Sequence, residues 1–184
     1  MEDIKMKIVV LSGSPHKKGT TSKLTDSFIE GAKSVGNEIV RFDTAFMNIH
    51  PCIACEKCHS SENAACAFAD DMVEIGKELA TSDVIAMVTP IYYYGVCTQL
   101  KVVIDRFYAI ESKIRKNQKT VLITAMADDR PETIIPTNDW YKAAIEWMEW
   151  KDAGIVNALG CTTVDDLNGK EYEKMAYDLG ASLK

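Results

Sequence analysis

Residues Lys7–Ser22 read KIVVLSGSPHKKGTTS, and this stretch sets the fold class. Lys7–Gly13 is a short β-branched run closed by Gly-Ser-Pro, the pattern of a strand running into a loop. The loop is rich in hydroxyls. Beyond it, Thr21–Val35 carries apolar side chains at Leu24, Phe28, Ile29 and Ala32, a helical spacing. Strand, polar turn and helix in that order make the first unit of a βα alternation.

The alternation continues to the end of the chain. Glu38–Phe42, flanked by Gly36 and Asp43, reads as a second strand, and a cysteine-rich segment then intervenes before a helix over Asp71–Ala80. Val84–Thr89 (VIAMVT) is apolar on both faces, as a central strand covered by helices on both sides must be. Pro90 is expected to end it. A helix over about Thr98–Ile110, a strand at Thr120–Ala125, a helix at Tyr141–Met148, a strand at Ile155–Leu159 and a last helix over about Lys170–Leu183 follow. Five βα units with no linker between them predict one doubly wound α/β domain over residues 1–184. A parallel order 2-1-3-4-5 would give it a switch point beside the first strand. Of the three tryptophans, Trp147 is assigned to the core, and Trp140 and Trp150 to the cover of a ligand or a subunit contact.

With 184 residues the chain is long enough to close a substantial core. A net charge of −6 argues against a nucleic-acid partner, which would favour a basic face. No apolar run is long enough to span a bilayer, and the opening MEDIKMKIVV lacks the features of a signal peptide. A cytoplasmic location is the default expectation.

The loop Ser12–Ser22 has the chemistry of an anion site. A helix N-terminus offers unpaired N–H groups and a partial positive charge. Ser12, Ser14, Thr20, Thr21 and Ser22 add hydroxyl donors, Gly19 permits close backbone approach, and Lys17 and Lys18 raise the local potential. A helix cap on a polar turn would use the same residues. Gly13 and Gly19 enclose five residues, so the dinucleotide fingerprint is absent, and Thr20 stands where a Walker loop needs lysine. After the third strand, Thr89–Thr98 reads TPIYYYGVCT. Three consecutive tyrosines also suit a strand by β propensity, but bracketed by Pro90 and Gly95 they read as a loop that could form the flat, partly apolar wall that an isoalloxazine ring requires.

SGSPHKKGTTSKL together with TPIYYYGVCTQLKVVIDRFY resembles the NAD(P)H-dependent FMN reductase family of flavodoxin-like proteins. The resemblance implies a three-layer flavodoxin-like sandwich, FMN as cofactor, NAD(P)H as electron donor and a homodimer or higher homo-oligomer. It implies that Ser12, Ser14, Gly19, Thr20, Thr21 and Ser22 lie on the phosphate side. Pro90, Ile91, Tyr92, Tyr93, Tyr94 and Gly95 would then lie on the ring side. A third loop is expected at Ala125–Arg130 (AMADDR), where two aspartates replace the small residues typical of the family. The flavin would carry the chemistry, with no side chain acting as acid, base or nucleophile.

Four of the six cysteines fall within the loop at about 50–67: Cys52, Cys55, Cys58 and Cys66, spaced C-x2-C-x2-C-x7-C. Three thiolates two residues apart, closed by a more distant fourth, suit a cubane cluster. The segment, followed by Asp70-Asp71-Met72, resembles the iron–sulfur flavoprotein branch of the same family, which implies a [4Fe–4S] cluster on these cysteines. Zinc, with His59 as a substitute ligand, and free or oxidised thiols are the alternatives. Cys97 and Cys161 read as ordinary buried thiols. The expected function is an FMN-dependent oxidoreductase, either an NAD(P)H-dependent flavin/quinone-type reductase or an iron–sulfur flavoprotein passing electrons to a small acceptor, with small molecules or redox proteins as electron donor and acceptor. A non-enzymatic electron carrier and a metal-binding redox module are its rivals.

Overall fold

The computed structural model describes residues 5–60, 65–116 and 118–184. Its first strand, β1 (Lys7–Ser12), leads through the polar loop into α1 (Thr20–Ser34), and β2 (Glu38–Asp43) follows. After the cysteine segment come α2 (Met72–Leu79), β3 (Val84–Tyr92), the short β4 (Gly95–Val96), α3 (Thr98–Arg106) and α4 (Glu111–Ile114). The chain ends through β5 (Lys119–Ala125), α5 (Ile135–Met148), β6 (Lys151–Ala158) and α6 (Tyr172–Ala181). No helix among the described residues is long and apolar enough to cross a membrane.

The long strands pair in parallel in the order β2-β1-β3-β5-β6. This is the flavodoxin-like order expected, the small β4 accounting for the shift in numbering. Alternation along each strand divides the core into two layers. Ile8 and Val10 of β1 face α1 and α6 with Phe28, Ala32 and Ala176. Val9 and Leu11 face α2, α3 and α5 with Ile75, Leu100, Val103 and Tyr141. Helix α1, which carries the candidate anion loop, lies close against α6. A Cβ built on Gly180 would stand 2.1 Å from the Phe28 carbonyl oxygen, and one on Gly31 2.0 Å from that of Tyr177. Only glycine permits that approach.

Four expectations need correction. Pro90 does not end β3, which runs on to Tyr92. The Val88 carbonyl accepts the Gly13 N–H at 2.8 Å, so the strand's alternation turns the missing N–H of Pro90 to the same edge, beyond the end of β1. The tyrosines are not in an open loop. Tyr92 pairs with Gly95 across a two-residue hairpin whose tip, Tyr93 and Tyr94, has φ of 47° and 64°, the pattern of a type I′ turn. Helix α5 begins six residues earlier than read, with Pro136 in its first turn, where a missing N–H is harmless. Its register buries Tyr141 and Met148 and leaves Trp147 64% exposed. Trp150 is the core tryptophan, its indole N–H donating to the Ile114 carbonyl at 2.6 Å.

Candidate functional site

All the parallel strands deliver their following loops to one edge, and β1 and β3 flank the point where the chain reverses its direction of winding. A cleft belongs there. The structure has one of about 730 Å³, within the range of small-molecule sites. Four loops line it: Ser14–Thr21 after β1, Pro90–Tyr92 at the end of β3, Ala125–Ala127 after β5 and Cys161–Val164 after β6.

The first loop is held from below. Gly13 N–H is tied to Val88, Thr44 Oγ1 donates to the Ser12 carbonyl at 3.3 Å, and Cys97 Sγ donates to that of Gly13 at 3.1 Å. A Cβ on Gly13 would meet Cys97 Sγ at 2.5 Å and Leu100 Cβ at 2.8 Å. A larger residue there would therefore push the loop off α3. At the rim, Gly19 is the N-cap of α1 and gives no side-chain cap to the N–H groups of the first turn. The first long helical bond runs from Lys23 N–H to the Gly19 carbonyl. Ser14 Oγ accepts from His16 N–H at 3.2 Å, which leaves its own hydrogen free to donate outward. Thr20 is 5% exposed, and its hydroxyl oxygen is buried without a hydrogen-bond partner among the described residues. An uncapped helix end beside a buried, unmatched hydroxyl fits a ligand with anionic oxygens.

The predicted residues divide in position. Ser14, Gly19, Thr20, Thr21, Pro90, Ile91 and Tyr92 share the cleft. Ser12 and Ser22 line a neighbouring hollow with Asp26, Arg41 and Asp43. There Arg41 donates to Ser22 Oγ at 3.2 Å and pairs with Asp26 at 2.6 Å and Asp43 at 2.9 Å. Tyr93 stands fully exposed at the hairpin tip, while Tyr94 and Gly95 border a separate hollow with Lys101, Thr137 and Trp140. The Thr137 hydroxyl donates to the Tyr94 carbonyl at 2.8 Å, anchoring the hairpin to α5.

The third loop contributes Ala125–Ala127 to the cleft, and its Asp128 is otherwise engaged. Asp128 is gripped by Arg130 at 2.6 Å and accepts from the Thr133 hydroxyl at 2.9 Å. The Arg130 fork, foremost, holds this carboxyl far below the usual range. Cys161–Val164 was not anticipated as a cleft wall. Cys161 N–H donates to the Met126 carbonyl at 2.7 Å, and Lys170 Nζ braces the turn through the Leu159 and Gly160 carbonyls at 3.1 and 2.8 Å. Thr163 and Asp166 close a capping box that fixes the loop's far end. The available signal was positional: Thr162 and Thr163 lie in the loop that leaves the last parallel strand, β6, so the topology places them at this edge.

The cysteine segment lies apart from the cleft. Ala54 and Glu56 adopt φ of 52° and 57° and curl the chain there. Cys52, Cys55, Cys58 and Cys66 line one small cavity together with Phe68, Arg106 and Tyr108. Residues 61–64, most of the insertion between Cys58 and Cys66, lie outside the described residues. Among the described residues no three His, Cys, Asp or Glu side chains are arranged around a single metal-ion position. Burial, foremost, raises the Cys58 thiol above its ordinary range. Cys97 and Cys161 are buried, as expected.

Comparison with known proteins follows this geometry. The family model described as NADPH-dependent FMN reductase matches residues 6–134. An iron–sulfur flavoprotein of Archaeoglobus fulgidus is 26% identical over 97% of this chain and 79% of its own length. Another, from Methanocaldococcus jannaschii, is 35% identical over 55% of this chain. The match spans about half (51%) of that relative's length. Among solved structures, an NAD(P)H:quinone oxidoreductase from Methanothermobacter marburgensis superposes with a TM-score of 0.72 at 15% identity, covering 98% of both chains. At that identity the likeness is one of fold.

Proposed function

The chain belongs to the NADPH-dependent FMN reductase family, and on that premise we propose that it binds FMN in the four-loop cleft and acts as an NAD(P)H-dependent oxidoreductase, passing electrons to a small acceptor or a redox protein. The single observation that carries the reading is the buried, unpartnered Thr20 hydroxyl beside the uncapped start of α1. Such a group is costly to leave unmatched. A phosphate would match it. Bound FMN would supply hydride acceptance and one-electron release.

The side chains bind, orient and shield. Ser14, Thr20 and Thr21 are proposed to hold the phosphate, with Gly19 letting the backbone approach. Ser12 and Ser22 support the same loop from behind. Pro90, Ile91 and Tyr92 form an apolar wall suited to a ring system, with Tyr93, Tyr94 and Gly95 extending it as a projecting hairpin. Met126, Ala127 and Cys161–Val164 close the opposite side against water.

A second element of the proposal is a [4Fe–4S] cluster on Cys52, Cys55, Cys58 and Cys66. Its support is the convergence of these four thiols on one cavity and the names of the relatives. Each thiolate of a cubane binds a different iron. Such a cluster would therefore not need three of these side chains around one ion position, and four thiols are a chemically apt donor set for it. The test is anaerobic purification followed by flavin, iron and sulfide counts and steady-state assays with NADH and NADPH. Flavin without turnover on either nicotinamide would leave an electron carrier. Iron without flavin would leave a metal-binding module.

A further inference from the structure

Arg106, the last residue of α3, is a buried cation, its side chain 2% exposed. It joins α3 to both ends of the cysteine segment. Nη1 and Nη2 reach the two Asp70 carboxylate oxygens at 2.9 and 3.2 Å, and Nη1 also donates to the His50 carbonyl at 2.8 Å. Asp70 in turn accepts the His50 N–H at 2.8 Å and the Met72 N–H at 3.2 Å. The Phe68 ring lies 5.4 Å from the guanidinium carbon and stacks on His50.

One donor in this arrangement is unused. The Nε of Arg106 is buried without a partner among the described residues. Arg106 lines the cysteine cavity and Asp70 does not, which puts the cation at the cavity wall and its counter-ion outside the lining. Glu56 and Asp105 also border the cavity, which leaves Arg106 as the only cationic side chain lining it among the described residues. A buried charged donor without an acceptor is unfavourable. A sulfur anion held by the four cysteines would provide that acceptor.

Resting on the cluster reading above, we infer that Arg106 is a positioning and potential-setting residue for a sulfur-bound iron cluster, offering Nε–H and a buried positive charge to its sulfurs. Hydrogen bonds and positive charge near a cluster stabilise its reduced form and raise its potential. Asp70, outside the lining, offsets part of that effect.

The experiment is an anaerobic, EPR-monitored redox titration of the cluster in the reconstituted holoprotein, comparing wild type with R106Q, R106K and D70N. The FMN content of each variant reports its fold. R106Q should shift the midpoint downward, D70N should shift it upward, and R106K should recover most of the lost potential by restoring the charge. A purely structural role would move R106Q and D70N in the same direction, and that result, or no shift, overturns the inference. If R106Q fails to fold, D70N decides alone: a rise supports the inference, and a fall or no change refutes it. Wild-type protein that takes up no iron sinks the cluster reading itself, and this inference with it.

Discussion

Replacing Thr20 by valine separates the cost of a buried hydroxyl from its use. Valine keeps the shape of threonine but puts a methyl in place of the hydroxyl, whose oxygen is buried without a partner among the described residues. An unsatisfied buried polar group costs roughly 1–3 kcal/mol. Apoprotein carrying T20V should therefore be more stable than wild type by about 1 kcal/mol, a rise of about 2–4 °C in melting temperature for a chain of this size. Cofactor binding should move the other way. A hydrogen bond to a charged phosphate is worth about 1.5–3 kcal/mol, so T20V should bind FMN about 10- to 100-fold more weakly. The assays are thermal melting of apoprotein and fluorescence-quenching titration with FMN. Unchanged FMN affinity would refute the assignment of Thr20 to the phosphate, and a fall in both quantities would mark it as a structural cap.

Gly13→Ala should displace the same loop, since the new Cβ meets Cys97 Sγ at 2.5 Å and Leu100 Cβ at 2.8 Å. Overpacking of this kind costs about 1–3 kcal/mol, and urea unfolding should register it together with weaker FMN retention. Tyr93→Asn with Tyr94→Gly supplies the residues a type I′ turn prefers, and relieving two left-handed tyrosines should stabilise the protein by about 1–2 kcal/mol. If the rings serve the acceptor side, the more stable variant will also turn over more slowly; equal turnover would remove the tip from the site. Burial pushes the Asp70 carboxyl up, but the Arg106 fork and the His50 N–H bring it down to about 2 from 3.8. A depressed carboxylate contributes stability above its unfolded pKa and loses it as pH falls through the folded value. About 2 kcal/mol should thus disappear between roughly pH 4 and pH 2, and D70N should flatten the wild-type stability profile in that window.

The parallel sheet was legible because its signals are local. Unbroken apolar runs such as VIAMVT mark strands buried on both faces, and the hydroxyl-rich turn after β1 is continuous in sequence. The corrected features depend on tertiary context. Pro90 is a strand breaker only where its N–H would find a partner, and the end of β1 removes that partner. Two consecutive tyrosines at positive φ contradict local preference and are held by the Tyr92–Gly95 pair and the Thr137 anchor. Trp147 and Trp150 exchanged places because burial depends on where α5 begins. Of the cleft, the two loops with distinctive composition were readable. Cys161–Val164 was not, since only the strand order brings its short stretch to the β1 edge. The ion pair of Asp70 with Arg106 spans 36 positions and leaves no local trace.

The central claim is that the loop after β1 recognises a phosphate carried by a flavin. Calorimetric titration of apoprotein with FMN and, in parallel, with riboflavin tests it most directly. One FMN should bind per chain, with riboflavin weaker by about tenfold or more because it lacks the charged group worth about 1.5–3 kcal/mol. Equal affinity for the two flavins, or no heat with either, would contradict the account.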